Sequence, residues 1–179
     1  VDILDSKAQR LKQLTEDLVE TSRITSGNVK LDMQKIDLVE LIYQTAGEFN
    51  EKFEAKELTI VSKLPKTEVM ILADGRQLYR VIENLYNNVA KYALEKTRVY
   101  VDVHVLEGKV TFSSKNVSES SLALENSNAG DLTERFIRGD VSRSTEGSGL
   151  GLSIAKNLVG LQGGTFDIYL DGDLFKVVI

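Results

Sequence analysis

The 179 residues predict an α+β fold: a two-layer sandwich of a mixed β-sheet covered on one face by helices, preceded by an N-terminal amphipathic helix. Three observations carry this. Leu78, Val81, Ile82, Leu85 and Val89 recur at helical spacing after a capping Asp74. Val99, Val101, Val103 and Val105 alternate with Tyr100, Asp102 and His104, the period of a half-buried strand. The elements run helix, strands, helix, β-hairpin, polar stretch, helix, β-hairpin, which favours hairpin connections over crossovers.

Residues 1 to about 25 form the first helix, with Leu4, Leu11, Leu14 and Leu18 at heptad-like spacing and Ile24 continuing the stripe. Ser26-Gly27-Asn28 ends it. The stripe fits a surface helix and an intermolecular bundle helix equally. Residues 29–36 alternate and read as a short extended segment. Asp37 is the N-cap of a helix to about Lys56, carrying Leu38, Leu41, Ile42, Ala46, Phe49 and Phe53. Short strands follow at 58–62 and 68–73, with Pro65 in the turn between them. The Asp74 helix runs to about Leu94, the valine strand covers 97–106, and Glu107-Gly108-Lys109 turns it into a partner strand at 110–116. Residues 117–148 are polar and long for a connection, a length that marks a functional lid or a disordered segment, and are read as a lid with a short helical piece at 131–136. A helix from about Gly149 to Gln162 and a hairpin of 165–170 with 174–179, turning at Asp171-Gly172-Asp173, complete the chain.

Composition narrows the chemistry. Apolar residues make up 42% and charged residues 27%, enough for a packed core. The net charge of -5 argues against a general nucleic-acid binder. With no Cys and a single His, His104, thiolate sites and multi-His zinc sites are excluded. No apolar run approaches the roughly 20 residues of a membrane span. The N-terminus has no signal-peptide core and no initiator Met, so a piece excised from a longer protein is expected.

Two segments carry residues suited to phosphate chemistry. Asn84, Asn88, Lys91 and Glu95 follow one another at spacings of four, three and four beside the apolar stripe. Amide oxygens are hard ligands that suit Mg²⁺, and a Lys one turn on can reach a phosphate. Taken alone, this is also what a solvated helix face looks like. Gly147-Ser148-Gly149-Leu150-Gly151 opens a later helix, where alternating glycines let backbone N–H groups approach an anion. The spacing is neither that of a P-loop nor that of a G-x-G-x-x-G loop, and a helix cap or hinge would read similarly.

Together the segments carry a resemblance. Asp74–Ala93, DGRQLYRVIENLYNNVAKYA, resembles the asparagine box of sensor histidine kinases, N-L-x-x-N-A-x-K-Y. Glu134–Asp140, ERFIRGD, looks like their phenylalanine box, and Gly147–Lys156, GSGLGLSIAK, like their second glycine box. Residues 1–27, ending TSRITSG, are similar to the second helix of the dimerisation and histidine-phosphotransfer hairpin, leaving 28–179 as the catalytic ATP-binding domain.

The resemblance implies the ATP-binding fold of the gyrase, chaperone, histidine-kinase and MutL superfamily. It implies ATP and Mg²⁺ as ligands, with Asn88 holding the metal and Asn84 supporting it. Lys91 would contact phosphate, Tyr92 would flank the nucleotide, and Arg138 and Leu150 would complete the nucleotide site. Gly147, Gly149 and Gly151 would let the lid wrap the triphosphate, and Arg143 would stabilise charge on the transferring phosphoryl group. It further implies an upstream phosphoacceptor helix, a response-regulator receiver domain and a homodimer in the full-length protein. The localisation it implies is a cytoplasmic domain of a membrane-anchored parent.

The sequence departs from the family in two places. Where the family's first glycine box reads D-x-G-x-G, this chain reads Asn116-Val117-Ser118-Glu119-Ser120. Asn116 stands for the Asp that accepts a hydrogen bond from the adenine amino group, a bond an amide oxygen can also accept. Ser118 and Ser120 stand for glycines and would be strained, by roughly 1 kcal/mol or more each, if a left-handed backbone were required. An alternative frame at Asn126–Gly130 lies too close to Glu134. The acceptor His and the acidic stretch that follows it are also missing, and His104 sits in a strand, so no phosphoacceptor His is expected in this chain. An ATP hydrolase of the same superfamily is disfavoured because Asn84 occupies the place of its water-activating Glu, while Glu83 lies about 100° round the helix. A non-catalytic binding module is the remaining alternative.

Overall fold

The structure, a computed structural model, describes residues 2–26, 29–119 and 150–179. Its elements are α1 (Asp2–Thr25), β1 (Gln34–Asp37), α2 (Leu38–Glu48), α3 (Asn50–Ala55), β2 (Thr59–Lys63), β3 (Met70–Ala73), α4 (Gly75–Tyr92), β4 (Arg98–Leu106), β5 (Lys109–Val117), α5 (Gly151–Leu161), β6 (Asp167–Asp171) and β7 (Leu174–Val178). The phenylalanine box, Arg138, Arg143, Gly147, Gly149, Ser120 and the helical piece at 131–136 lie outside the described residues.

Five strands form a mixed sheet in the order β2-β4-β5-β7-β6. The strand connections depart from expectation. Hairpins do not make all the connections: β2 pairs parallel with β4, Thr59 opposite Arg98, through a crossover that contains α4. Nor do β2 and β3 pair across the Pro65 turn. β3 leaves the main sheet to pair antiparallel with β1 in a two-stranded sheet, Ile36 opposite Ile71.

The helix expected from Asp37 to Lys56 is two helices. Asp37 does cap α2, its Oδ1 accepting from the Val39 N–H at 3.0 Å and also from the Val69 N–H at 3.1 Å. The helix stops at Phe49, whose N–H turns back to the Ala46 carbonyl at 3.1 Å. The break brings Phe49 and Phe53 against Tyr86 of α4, each pair of rings 5.7 Å apart and near edge-to-face. Asp74 caps α4 through the Gln77 N–H at 3.0 Å. That helix ends at Tyr92, with Ala93 extended, so Glu95 is not on its face.

Helices α4 and α5 pack together over one face of the sheet. Val99, Val101 and Val103 of β4, Phe112 of β5, and Phe175 and Val177 of β7 are buried beneath Val81, Ile82, Leu85, Ile154 and Leu158. Val105 shares their orientation but is 54% exposed, because the hairpin tip runs past the helix layer. The tip turns at Glu107 and Gly108, both with positive φ (50° and 76°), the two-residue turn whose twist suits a hairpin. The opposite face carries Lys115 over the Tyr100 ring and Lys176 over the Tyr169 ring. On α1, Leu11 and Leu18 are exposed and Leu14 is half-buried, with the helix approaching α5.

Candidate functional site

The predicted site residues that fall within the described chain come from three elements. Helix α4 supplies Asn84, Asn88, Lys91 and Tyr92. The first two and Tyr92 are half-buried and Lys91 is exposed. Asn84 Nδ2 donates to the Arg80 carbonyl one turn back at 2.9 Å, which orients its oxygen outward from that turn. Asn88 makes no hydrogen bond among the described residues.

The N-terminus of α5 meets this face. The helix begins at Gly151 after Leu150 and takes no side-chain cap. A Cβ at 151 would stand 2.8 Å from Asn84 Oδ1, closer than side chains tolerate, so glycine is what permits the approach. The close approach puts the first turn of α5, the positive end of its dipole, beside Asn84.

Strand β5 supplies the third part. Asn116 is buried on the core face between Val99 and Phe175. Its Nδ2 donates to the Val117 carbonyl at 3.1 Å, while its Oδ1 is enclosed with no partner. Ser114 Oγ, two residues back on the same face, is also enclosed without a partner. A buried acceptor left unpaired costs about 1–3 kcal/mol, and a ligand that donates to it recovers that cost. An amide oxygen is an acceptor to which the amino group of a base can donate, and in this structure it is closed off from solvent. The strain considered for Ser118 is not incurred. Ser118 is absent from the positive-φ residues, pairs with Ala93 in an isolated bridge, and donates its N–H to the Asp173 carbonyl at 2.8 Å.

Sequence reasoning missed Lys56. Its ammonium donates to the Lys91 carbonyl at 2.8 Å, the Ala93 carbonyl at 3.1 Å and Glu119 Oε1 at 2.6 Å. It thus satisfies the carbonyl end of α4 and holds the residue after Ser118. The Glu119 N–H adds a bond to the Tyr92 carbonyl at 2.9 Å. No local pattern around Lys56 signals this, since every partner lies far along the chain. His104 stands exposed opposite Thr111 on the far face of the sheet, away from these elements.

A family model described as histidine kinase-, DNA gyrase B-, and HSP90-like ATPase matches residues 73–176. The chain is 29% identical over 164 residues to the alginate biosynthesis sensor protein KinB of Pseudomonas aeruginosa, covering 92% of this chain and 27% of that protein. Among solved structures, full-length ShkA in complex with AMPPNP superposes with a TM-score of 0.76 at 23% identity, over 94% of this chain and 35% of that one. Histidine kinase ThkA in complex with the response regulator protein TrrA superposes with a TM-score of 0.70 at 21% identity, over all of this chain and 49% of that one. The chain thus spans about a quarter to half of the length of these proteins. With the family model covering more than half of its residues, the chain belongs to the histidine kinase-, DNA gyrase B- and HSP90-like ATPase family, and it shares its fold with solved histidine kinases.

Proposed function

We propose that the chain binds Mg-ATP and delivers its γ-phosphoryl group to a His on an upstream helix, α1 being the second helix of the same dimerisation hairpin. The observation that carries this reading is the start of α5 pressed against Asn84 at Gly151, with Asn88 one turn further along α4 and an unpaired buried acceptor at Asn116 on β5. Asn88 holds the metal, with Asn84 in support. Lys91 and the backbone at Leu150 and Gly151 receive phosphate charge, and Tyr92 flanks the nucleotide. Asn116 accepts from the adenine amino group. Arg138, Arg143, Gly147 and Gly149 complete the site from the lid. The metal-bound nucleotide supplies an activated phosphoryl group, and the protein supplies position and charge. The onward acceptor is a response-regulator receiver domain. The full-length protein is a homodimer through Leu11 and Leu18, and it is anchored to the membrane by segments outside this chain. Among the described residues no helix is long and apolar enough to cross a membrane.

Calorimetric titration tests the reading. Mg-ATP is expected to bind, Asn88→Ala to abolish binding while leaving the fold intact, and phosphate release to be negligible. Labelled ATP leaves no acid-labile phosphate on the chain, and when a fragment bearing the upstream helix is added the label appears on that fragment. No binding at millimolar ATP would favour a partner-binding module. Rapid phosphate release would favour a hydrolase. Label on His104 would refute the missing acceptor.

A further inference from the structure

Lys56 touches both sides of one junction. Three successive carbonyls close α4. Those of Lys91 and Ala93 accept from the Lys56 ammonium at 2.8 and 3.1 Å, and that of Tyr92 accepts from the Glu119 N–H at 2.9 Å. The same ammonium is ion-paired with Glu119 Oε1 at 2.6 Å. Between these contacts lies a short backbone ladder: Ala93 pairs with Ser118, and the Leu94 N–H donates to the Val117 carbonyl at 2.9 Å. One side of the ladder continues α4 and the other continues β5. Lys56 is anchored from outside it, its own N–H donating to the Phe53 carbonyl at 3.2 Å and its carbonyl accepting from the Lys96 N–H at 3.0 Å. Its side chain is only 20% exposed. An ammonium shielded in this way makes charge-assisted bonds about twice as strong as the ladder's neutral ones, and it sits at the negative end of the α4 dipole.

We infer that Lys56 is a positioning residue for the nucleotide site, its ammonium setting the separation between the end of α4 that carries Lys91 and Tyr92 and the exit of β5. The inference deepens the proposed ATP site and rests on it. Lys56 acts through the backbone carbonyls of Lys91 and Ala93 and through Glu119, not through a contact of its own with nucleotide or metal. Without the ammonium the ladder's neutral bonds keep the fold, but the two parts of the site are held less closely. A nucleotide that spans both must then order them itself, and its affinity falls by that cost.

Calorimetry on the whole chain with Mg-ATP, at a temperature where every variant is folded, tests this. Lys56→Met binds ATP about tenfold or more weaker than wild type. In the transfer reaction with the upstream-helix fragment it raises KM for ATP by a similar factor and leaves kcat within about twofold, because the ammonium touches no reacting atom. A purely structural role gives the opposite split: loss of folded chain lowers kcat and leaves KM unmoved. Glu119 is exposed, so Glu119→Gln keeps the fold. It weakens binding by about twofold or more, yet adds nothing in a Lys56→Met background, the mark of one shared contact. Unchanged ATP affinity in either folded variant, a lower kcat at unchanged KM in Lys56→Met, or equal losses from Glu119→Gln with and without Lys56 would each overturn the inference while leaving the ATP site standing. A folded wild-type chain that binds no Mg-ATP overturns both.

Discussion

Gly151 and Asn84 touch across the α4–α5 interface so closely that a Cβ on the former would stand 2.8 Å from Oδ1 of the latter. Asn84 cannot simply swing aside, because its amide is tied to the Arg80 carbonyl at 2.9 Å. Gly151→Ala is therefore expected to destabilise the fold by about 1–3 kcal/mol. In an Asn84→Ala background the same change should be neutral or stabilising by up to about 1 kcal/mol, since alanine is the better helix residue. Urea denaturation of the four proteins measures the coupling, and additive effects would contradict the contact.

Asp74 gathers three separate segments. Its Oδ1 accepts from Gln77 N–H at 3.0 Å, its Oδ2 from Asp32 N–H at 2.9 Å, and its own N–H donates to Gln162 Oε1 at 2.8 Å. Burial alone would push the carboxyl up. The N–H groups of Asp32, Gln77 and Arg76, with the Arg76 guanidinium, outweigh it and hold the group below its ordinary value of 3.8. A depressed folded value means that the stabilisation is present above the unfolded value and disappears as pH falls through the folded one. Asp74→Ala should cost about 1–3 kcal/mol at neutral pH. The difference from wild type should shrink in denaturation measured below about pH 4. A difference that holds constant into strong acid would rule out the charged contribution.

Tyr79 of α4 donates its hydroxyl to Glu48 Oε2 of α2 at 2.6 Å. That bond first, then burial and the charges of Glu83 and Glu48, pushes the phenol up to about 12. Here the sign is reversed: the contribution is present below the unfolded value of 10.0 and is lost as pH rises through the folded one. Tyr79→Phe is expected to cost about 0.5–1.5 kcal/mol. Ultraviolet titration should show a late ionisation that is lost in Tyr79→Phe and moves to lower pH in Glu48→Gln, while Tyr86, pushed up further by burial, ionises later still in all three.

Lys56 holds the end of α4 to Glu119 with three hydrogen bonds, one of them a 2.6 Å ion pair. Lys56→Met should leave the aromatic cluster of Phe49, Phe53 and Tyr86 intact. It should speed amide hydrogen exchange at Glu119 and Leu94, whose N–H groups bond across this junction. Unchanged exchange at both amides would show that the backbone bonds suffice without the ammonium.

What the sequence disclosed was local. Asp37 and Asp74 announced helix starts because a capping carboxylate acts within three residues of itself. The valines of β4 announced a strand because alternation needs no partner to be visible. The Phe49 break was not legible, since it is driven by Tyr86 far along the chain. The separation of β3 from β2 and the parallel β2–β4 register are likewise set by tertiary pairing rather than by either strand's own residues. In the site, the order of Asn84, Asn88 and the Gly151 turn could be read directly. The Lys56 junction and the direction of the Asn116 amide could not, because each depends on carbonyls whose positions only the folded chain defines.

The parallel β2–β4 pair has a consequence for how the molecule assembles. A hairpin such as β4–β5 closes on itself and needs only its own turn. β2 can find its register only after β3 and α4 have been laid down between it and β4. Chain closure over such a span is slow, and the entropy is lost before any contact rewards it. Edge strand β2 is thus placed to join late, and α4, which carries Asn84 and Asn88, is the connection it waits for. Completion of the sheet and presentation of the asparagine face would then be one kinetic event, so a chain caught before that step would have the central hairpin but no nucleotide site.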